Sequence, residues 1–178
     1  GTVGVALDLD SRTNMSTIHI EGPADVWFGV GFDADAMADA PYALLVDGGG
    51  HVSERRLANH AEGTLLTSSV SVVSSNVVAG RRRVQIRRPL LGATPEHYTF
   101  DPSAGGLALI GAVGSGPRLG YHRHRGGAPL VLVEAGGPLC VCALPPGSAS
   151  GSIDGVRFPP GGGCAHGNRS SLLAQKND

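Results

Sequence analysis

Two segments of the chain hold side chains whose chemistry sets them apart. The first, residues 33–39, contains Met37, one of only two methionines. Composition alone favours a methionine that fills an irregular gap beneath the loop. The second segment, residues 114–127, contains His122 and His124 between glycine-rich flanks. Two histidines in a glycine-flanked loop between predicted core strands indicate a functional segment more strongly than a single exposed histidine would.

Charged residues accompany both segments. Asp33, Asp35 and Asp39 surround the methionine, and carboxylates of this kind bind calcium. The segment lacks the glycine and terminal glutamate of an EF-hand loop, which argues against a calcium site. Arg123 and Arg125 alternate with the two histidines. If this stretch is extended, the arginines lie on one side of it and the histidines on the other.

Other kinds of site are not indicated by the sequence. We interpret His51, His60 and His97 as surface or structural residues. No serine lies in a nucleophile elbow, and the glycine runs 48–50 and 161–163 precede no predicted helix, so no phosphate cradle is predicted. We therefore expect a domain without its own catalytic centre, and an enzyme is the less favoured alternative.

Composition limits the partners. The 178 residues have a net charge of −1, which argues against nucleic acid as a partner. We interpret the arginine run 81–83 as a solvated strand face. No run of 18 apolar residues occurs in the sequence, so we expect no membrane span in this chain.

The pattern of apolar residues predicts an all-β protein. There are 28 glycines and 12 prolines, a load typical of short strands joined by tight turns. In the segment 82–88, Val84 and Ile86 share one face, and Arg83, Gln85 and Arg87 share the other. Strands are predicted at 2–7, 16–21, 26–32, 42–47, 51–57, 69–73, 76–79, 82–88, 107–113 and 129–134. Short strands at this spacing indicate a sandwich or a barrel, and we predict an antiparallel, immunoglobulin-like β-sandwich.

The composition changes after residue 137. We predict a sandwich over 1–137 and, over 138–178, an irregular extension rich in Pro, Gly, Ser and Cys that packs on it. This extension holds Cys140, Cys142 and Cys164, where a bridge from Cys164 to either of the others is less strained than one between Cys140 and Cys142. Zinc bound by these cysteines with His166 fits no common spacing.

Compartment is indicated by small signs only. Asn-x-Ser sequons occur at Asn14 and Asn168. Together with the disulfide candidates, they favour a secreted, cell-surface or lumenal glycoprotein.

Both segments, 33–39 and 114–127, lie in a pattern that resembles the DOMON family. The strand 26–32, a short loop with a methionine and the strand 42–47 are similar to its first half. Residues 109–115, then 119–122 and a final strand are similar to its second half, so the resemblance covers most of 3–135. DOMON domains are antiparallel sandwiches and include the cytochrome domain of cellobiose dehydrogenase and related b-type cytochromes.

The resemblance implies a haem b site. Haem-binding members take a methionine from the first loop and a histidine from the second, which here are Met37 and His122, with His124 as the alternative. Iron with both ligands is six-coordinate and transfers electrons without activating oxygen. We expect both loops at one end of the sandwich, walls formed by Trp27, Phe28 and Leu119, and propionate contacts from Arg123 and Arg125.

Such a module serves a redox partner domain or protein, within a larger extracytoplasmic protein. Many relatives of this family bind sugars or act in adhesion without haem. The alternative function is therefore a haem-free module that binds glycan or protein.

Overall fold

A computed structural model describes residues 2–132. Within them lie ten strands and one short 3-10 turn, Met37–Asp39. The strands are β1 Gly4–Asp10, β2 Met15–Pro23, β3 Phe28–Phe32, β4 Tyr42–Val46, β5 Val52–Ala58, β6 Ala61–Leu65, β7 Ser71–Val78, β8 Arg81–Pro89, β9 Gly106–Gly114 and β10 His122–Val131. The predicted all-β class is confirmed.

The strands form two antiparallel sheets packed as a sandwich. The small sheet has the order β1-β2-β8-β7, and the large sheet has the order β10-β9-β3-β4-β5-β6. At the centre of the large sheet, β3 pairs with both β4 and β9. The predicted antiparallel sandwich is therefore confirmed, with β3 between two neighbours that cover both of its edges.

The core lies between the sheets and is built from alternate residues of each strand. Phe28, Val30 and Phe32 of β3 point into it and are almost fully buried. Val84 and Ile86 of β8 meet them from the small sheet, while Arg83 and Arg87 are exposed on the opposite face. The predicted register of β8 is confirmed. Each of these buried side chains contributes about 1.5–3 kcal/mol of transfer free energy.

Two arginines on the core side of β8 close the ends of the core, and the sequence pattern did not reveal them. Arg88 is 1% exposed; its Nη2 donates to Tyr98 O over 2.6 Å, and its guanidinium lies 4.9 Å from the centre of the Tyr42 ring. Arg82, at the other end, donates from Nη2 to Gly48 O over 3.0 Å. Arg82 and Arg88 are separated from Val84 and Ile86 by even numbers of residues, so strand alternation places all four on the same face. This spacing is the sequence signal from which their burial could have been predicted.

A buried carboxylate ties the large sheet to the segment before β7. Glu54 of β5 accepts hydrogen bonds from Tyr42 Oη at 2.6 Å and Ser69 Oγ at 2.7 Å. His97 Nε2 lies 3.8 Å from Glu54 Oε1 and 3.0 Å from Thr67 O. His97 was interpreted as a surface or structural residue; it is buried and structural.

Some strand predictions were wrong in extent. The last strand starts at His122, where a loop was predicted, because β10 pairs with β9 along its whole length. The predicted strands 69–73 and 76–79 form the single strand β7, which has a register shift between Val72 and Ser74. β6 was missed because its residues, from Ala61 to Leu65, carry little apolar signal.

We expect Glu54→Gln to change the acid stability of the domain. Burial alone raises the pKa of Glu54, but the hydrogen bonds from Tyr42 and Ser69 outweigh it, so the pKa lies below its ordinary 4.5. The stabilisation is therefore present above pH 4.5 and is lost as the pH falls below it. Glu54→Gln should lower the free energy of unfolding at pH 7 by about 1–3 kcal/mol and flatten its dependence on pH below 4.5.

Chemical unfolding at pH 7, 5 and 3 measures this. The exposed Glu62→Gln is the control and should leave the curve unchanged. An equal pH dependence in wild type and Glu54→Gln would contradict the assignment.

Candidate functional site

The outward-pointing residues at the centre of the large sheet form an apolar strip with a glycine floor, and most of them are buried beneath neighbouring side chains. On β3, Gly29 and Gly31 alternate with the core residues and so point outward. Gly29 pairs with Leu45 on one side and Ala112 on the other, and Gly31 pairs with Ala43 and Ile110. We call this surface the outer strip; it comprises Trp27, Gly29, Gly31, Ala43, Leu45, Ile110, Ala112 and Gly114.

Neighbouring side chains lie directly over the two glycines. A Cβ atom on Gly29 would be 2.2 Å from Leu45 Cδ2, and one on Gly31 would be 2.8 Å from Ile110 Cγ1. Leu45 is almost fully buried and Ile110 is partly exposed. The floor of the outer strip is thus backbone, and its present cover is two branched aliphatic side chains.

Trp27 closes one end of the outer strip. Its indole lies over Gly114, where a Cβ atom would be 2.0 Å from Trp27 Nε1. Gly114 N donates to Trp27 O over 2.8 Å, and Trp27 N donates to Gly116 O over 2.9 Å. Trp27 is buried in this position. Glycine at 114 is therefore required by the close approach of the ring.

The loop that precedes His122 is held against the same end. Pro117 O accepts a hydrogen bond of 2.8 Å from Gly48 N, just after β4. Leu119 is partly exposed in this loop. The ring of Tyr121, 79% exposed, lies 4.6 Å from that of His122.

A β-bulge separates the two candidate histidines. His122 pairs with Gly114, whereas His124 pairs with Val113, and the register shifts between them. Val113 faces the core and Gly114 faces outward, so the histidines belong to opposite faces of the sheet. The prediction that they share one side is wrong because of this bulge. His122 lies on the face of the outer strip.

The bulge also determines the faces on which Arg123 and Arg125 lie. Arg125 pairs with Ala112, a residue of the outer strip, while Arg123 stands at the bulge. Both are exposed. Arg125 therefore shares its face with His122.

Met37 lies at the other end of β3. It begins the 3-10 turn between β3 and β4 and is partly exposed. Asp39 caps this turn, since its Oδ2 accepts from Asp35 N at 3.1 Å and Ala36 N at 2.9 Å. After the turn, a ring carbon of Pro41 would be 3.2 Å from a Cβ on Gly31. The β3–β4 loop thus reaches the outer strip through Pro41.

The acidic residues of this loop show no arrangement for calcium. Asp39 is occupied as a cap, and Asp33 and Asp35 are exposed. Over residues 2–132, no group of three or more His, Cys, Asp or Glu side chains is placed to hold a metal ion. The calcium hypothesis receives no support.

The sequence analysis expects the two candidate ligand loops at one end of the sandwich, but they lie at opposite ends. β3 and β9 run antiparallel, with Phe28 opposite Val113 and Phe32 opposite Leu109, so the loops that follow them leave in opposite directions. His122 lies level with the start of β3 and the Met37 turn follows its end, about 16 Å away along the strand at 3.3 Å per residue. The structure does not bring Met37 and His122 together; they flank the outer strip from its two ends.

The proposed wall residues are divided between the two faces. Trp27 is in the outer strip. Phe28 is in the core with no exposed surface, so its prediction as a wall residue is not supported by its position. Alternation along β3 explains the difference, because consecutive residues of a strand point to opposite faces.

Several predictions concern residues that the structure describes only in part or not at all. The extension 138–178, its three cysteines and Asn168 lie outside the described residues. Asn14 is exposed in the β1–β2 turn, while the hydroxyl of Ser16 in the same sequon is buried and donates to Arg88 O over 3.1 Å. Among the described residues, no helix is long and apolar enough to cross a membrane.

The fold is that of known cytochrome b domains. The crystal structure of the cytochrome b domain of pyranose dehydrogenase from Coprinopsis cinerea superposes with a TM-score of 0.54 at 16% identity, over 72% of this chain and 75% of that one. The cytochrome domain of Myriococcum thermophilum cellobiose dehydrogenase gives 0.54 at 17% identity, over 74% of each chain. No protein-family model and no curated protein sequence matches the chain.

These likenesses confirm, at the level of the fold, the resemblance to DOMON cytochromes drawn from the sequence. At identities of 16% and 17%, the similarity concerns the fold alone and does not identify ligand residues in this chain.

We expect Gly114→Ala to displace Trp27, the single tryptophan of the chain. The added methyl group overlaps the indole, so the free energy of unfolding should fall by about 1–3 kcal/mol. The tryptophan fluorescence maximum should shift to longer wavelength as the ring becomes hydrated. Gly116→Ala is the matched control, because nothing lies within 4 Å of its Cβ position. Identical emission spectra for both variants would contradict the packing of Trp27.

Proposed function

We propose that this chain is a haem b-binding module for electron transfer, part of a larger extracytoplasmic protein. The observation that carries the proposal is the outer strip, a mostly buried, glycine-floored apolar strip with an imidazole at one end and a thioether on the turn beyond the other. It occurs on a fold shared with two cytochrome b domains.

The residues around the strip fit a haem by their chemistry. Met37 and His122 are the donor pair of six-coordinate, electron-transferring haem. Gly29 and Gly31 place no side chain between them, so a flat ring can approach the backbone. Trp27 supplies an apolar wall at the histidine end. Haem binding requires the side chains of Leu45 and Ile110 to rotate away from Gly29 and Gly31. It also requires the Met37 loop to close over the strip.

His122 is the better ligand candidate of the two histidines. Its register opposite Gly114 puts it on the face of the strip, whereas His124 is opposite a core residue. Arg125 shares this face and is free to contact a propionate as a bidentate donor. The chain's own contribution is to hold the two donors, exclude water with Trp27 and its neighbours, and offset the charge of the propionates.

The partner is another redox centre. A haem with both axial positions filled exchanges electrons and has no open site for a substrate. Both structural neighbours are named as domains of sugar dehydrogenases, so a dehydrogenase domain or protein is the proposed partner. An extracytoplasmic location and glycosylation at Asn14 are part of the same proposal.

A second candidate function has one observation in its favour. In the described structure Leu45 and Ile110 fill the space over the glycines, and Met37 and His122 stand apart. This arrangement favours a haem-free module that binds a glycan or a protein on the same face.

Haemin titration of the full chain separates the two functions. Under the proposal, one haemin binds per chain and the reduced form shows sharp α and β bands of a low-spin b-type centre. Met37→Leu should abolish the six-coordinate spectrum, because it removes the sulfur and keeps the volume. Met15→Leu, which changes the other methionine, on β2, is the control and should leave the spectrum intact. A chain that takes up no haemin supports the haem-free module.

The histidine is tested in the same assay. We expect His122→Ala to lose the low-spin spectrum and His124→Ala to retain it, since only His122 shares the face of the strip. The reverse result would show that the bulge does not decide the ligand.

A further inference from the structure

A positively charged surface lies along β10, at the edge of the large sheet. Residues 106–132 include three arginines and two histidines but no aspartate or glutamate. Arg118, in the loop before β10, and Arg123 and Arg125, on β10, are exposed. Tyr121 lies between them in sequence and is 79% exposed. We call this surface the basic edge; it comprises Arg118, Tyr121, Arg123 and Arg125.

The arginines of the basic edge have no counter-charge among the described residues. Four arginines elsewhere in the domain form salt bridges, whereas the three on the basic edge form none with any of residues 2–132. Two carboxylates lie at the same end of the sheet. Asp47 accepts a hydrogen bond from His51 N over 2.9 Å within its own turn, and Asp25 is exposed in the loop before β3. The charge of the basic edge is therefore available to a partner.

Protection of an edge strand does not account for the whole surface. Charges and prolines on an edge strand prevent it from pairing with another chain, and Arg123, Arg125 and Pro129 of β10 suffice for that. Arg118 lies outside the strand, and the exposed ring of Tyr121 adds no charge. Tyrosine and arginine are the residue types enriched in protein interfaces and in their hot spots. The basic edge thus has the composition of a protein-binding surface.

Charge is distributed asymmetrically along the large sheet. Residues 2–105 include eight arginines and twelve carboxylate residues, so the surplus of positive charge in the described structure lies in 106–132. Burial raises the pKa of Tyr98 above its ordinary 10.0, and the charges of Asp33 and Asp101 raise it further. Four exposed carboxylates lie at this end, in the β3–β4 loop and just before β9: Asp33, Asp35, Asp39 and Asp101. The sheet therefore has a positive end at His122 and a negative end at the Met37 turn.

This asymmetry favours a negatively charged partner and one orientation of its approach. An acidic protein surface is attracted to the basic edge and repelled by the carboxylates at the other end, which steers the encounter. The ring of Tyr121 lies 4.6 Å from that of His122. A protein that docks on the basic edge therefore comes close to the proposed haem ligand.

We propose that the basic edge is the docking surface for the redox partner, and that the partner presents an acidic protein face to it. This inference rests on the proposed function, because His122 is the proposed haem ligand beside the basic edge. A surface of three arginines and one tyrosine is small, so the complex is transient and weakens as salt rises. Nucleic acid is a less suitable occupant, because its binding depends on the number of phosphates neutralised and the chain has a net charge of −1.

Binding of poly-L-glutamate to the full chain without haemin tests the surface itself. Titration calorimetry at about 0.01 M salt, where the Debye length is about 30 Å, should show binding that weakens at about 0.15 M. The double variant Arg118→Glu/Arg123→Glu should weaken this binding by at least about tenfold, because it reverses two charges of the surface. Arg87→Glu is the matched control: it reverses an exposed arginine of the small sheet and should bind polyglutamate like wild type.

Electron transfer from the haemin-loaded, reduced chain tests whether the surface serves the haem. Ferricyanide, an anion, and tris(phenanthroline)cobalt(III), a cation, each accept one electron as the ferrous iron becomes ferric. In stopped-flow experiments the double variant should slow oxidation by ferricyanide and accelerate oxidation by the cobalt complex. Both rates are compared with those of Arg87→Glu at equal haemin loading.

Four results overturn the inference. The first is polyglutamate that binds wild type and the double variant equally, or binds neither at low salt. The second is tighter binding of polygalacturonate or single-stranded DNA at equal charge, which would assign the surface to a glycan or a nucleic acid. The third is a double variant with a lower unfolding temperature than Arg87→Glu, since the arginines then contact another part of the same chain. The fourth is equal oxidation rates in both variants.

Failure of the proposed function is distinguishable from these results. A chain that takes up no haemin refutes that function, and the electron-transfer role of the basic edge falls with it. The polyglutamate titration then still decides whether the basic edge binds an acidic polypeptide.

Discussion

The antiparallel pairing of β3 with β9 is the constraint on which the rest of the structure depends. Its register sets Phe28 opposite Val113 and thereby fixes which residues of β3 enter the core. The aromatic residues fill the space between the sheets, and the glycines between them form the floor of the outer strip. The same pairing sends the two following loops in opposite directions. Met37 and His122 are therefore positioned at the two ends of one surface by a single strand register.

The support for that register comes from polar groups at the ends of the core. Arg88 stacks on Tyr42 and Arg82 binds the carbonyl of Gly48, so each arginine joins the small sheet to the large one. Glu54 completes the first end through Tyr42 and Ser69. Breaking one member of such a buried set leaves the others unpaired, which costs more free energy than an exposed ion pair contributes. Polar contacts thus join the two sheets at both ends of the core.

The strand pattern and the fold class could be predicted from the sequence because alternation reports burial directly, as for Val84 and Ile86. The candidate residues could be named, but their relative positions could not. The expectation that both loops lie at one end is wrong because β3 and β9 are antiparallel neighbours, which end on opposite sides. The separation of His122 from His124 depends on a bulge, and no residue type in that stretch signals one. Alternation along β3 places Phe28 in the core and not in the site. Alternation along β8 places Arg88 on the same buried face as Val84 and Ile86.

We propose that the outer strip beside Trp27 is the haem site. Because Trp27 is the single tryptophan, quenching of its fluorescence during a haemin titration tests this most directly. Strong quenching that saturates at one haemin per chain is expected, since energy transfer to a ring seated beside the indole is nearly complete. Haemin that binds with Trp27 emission unchanged, or quenching that rises without saturation, would contradict it.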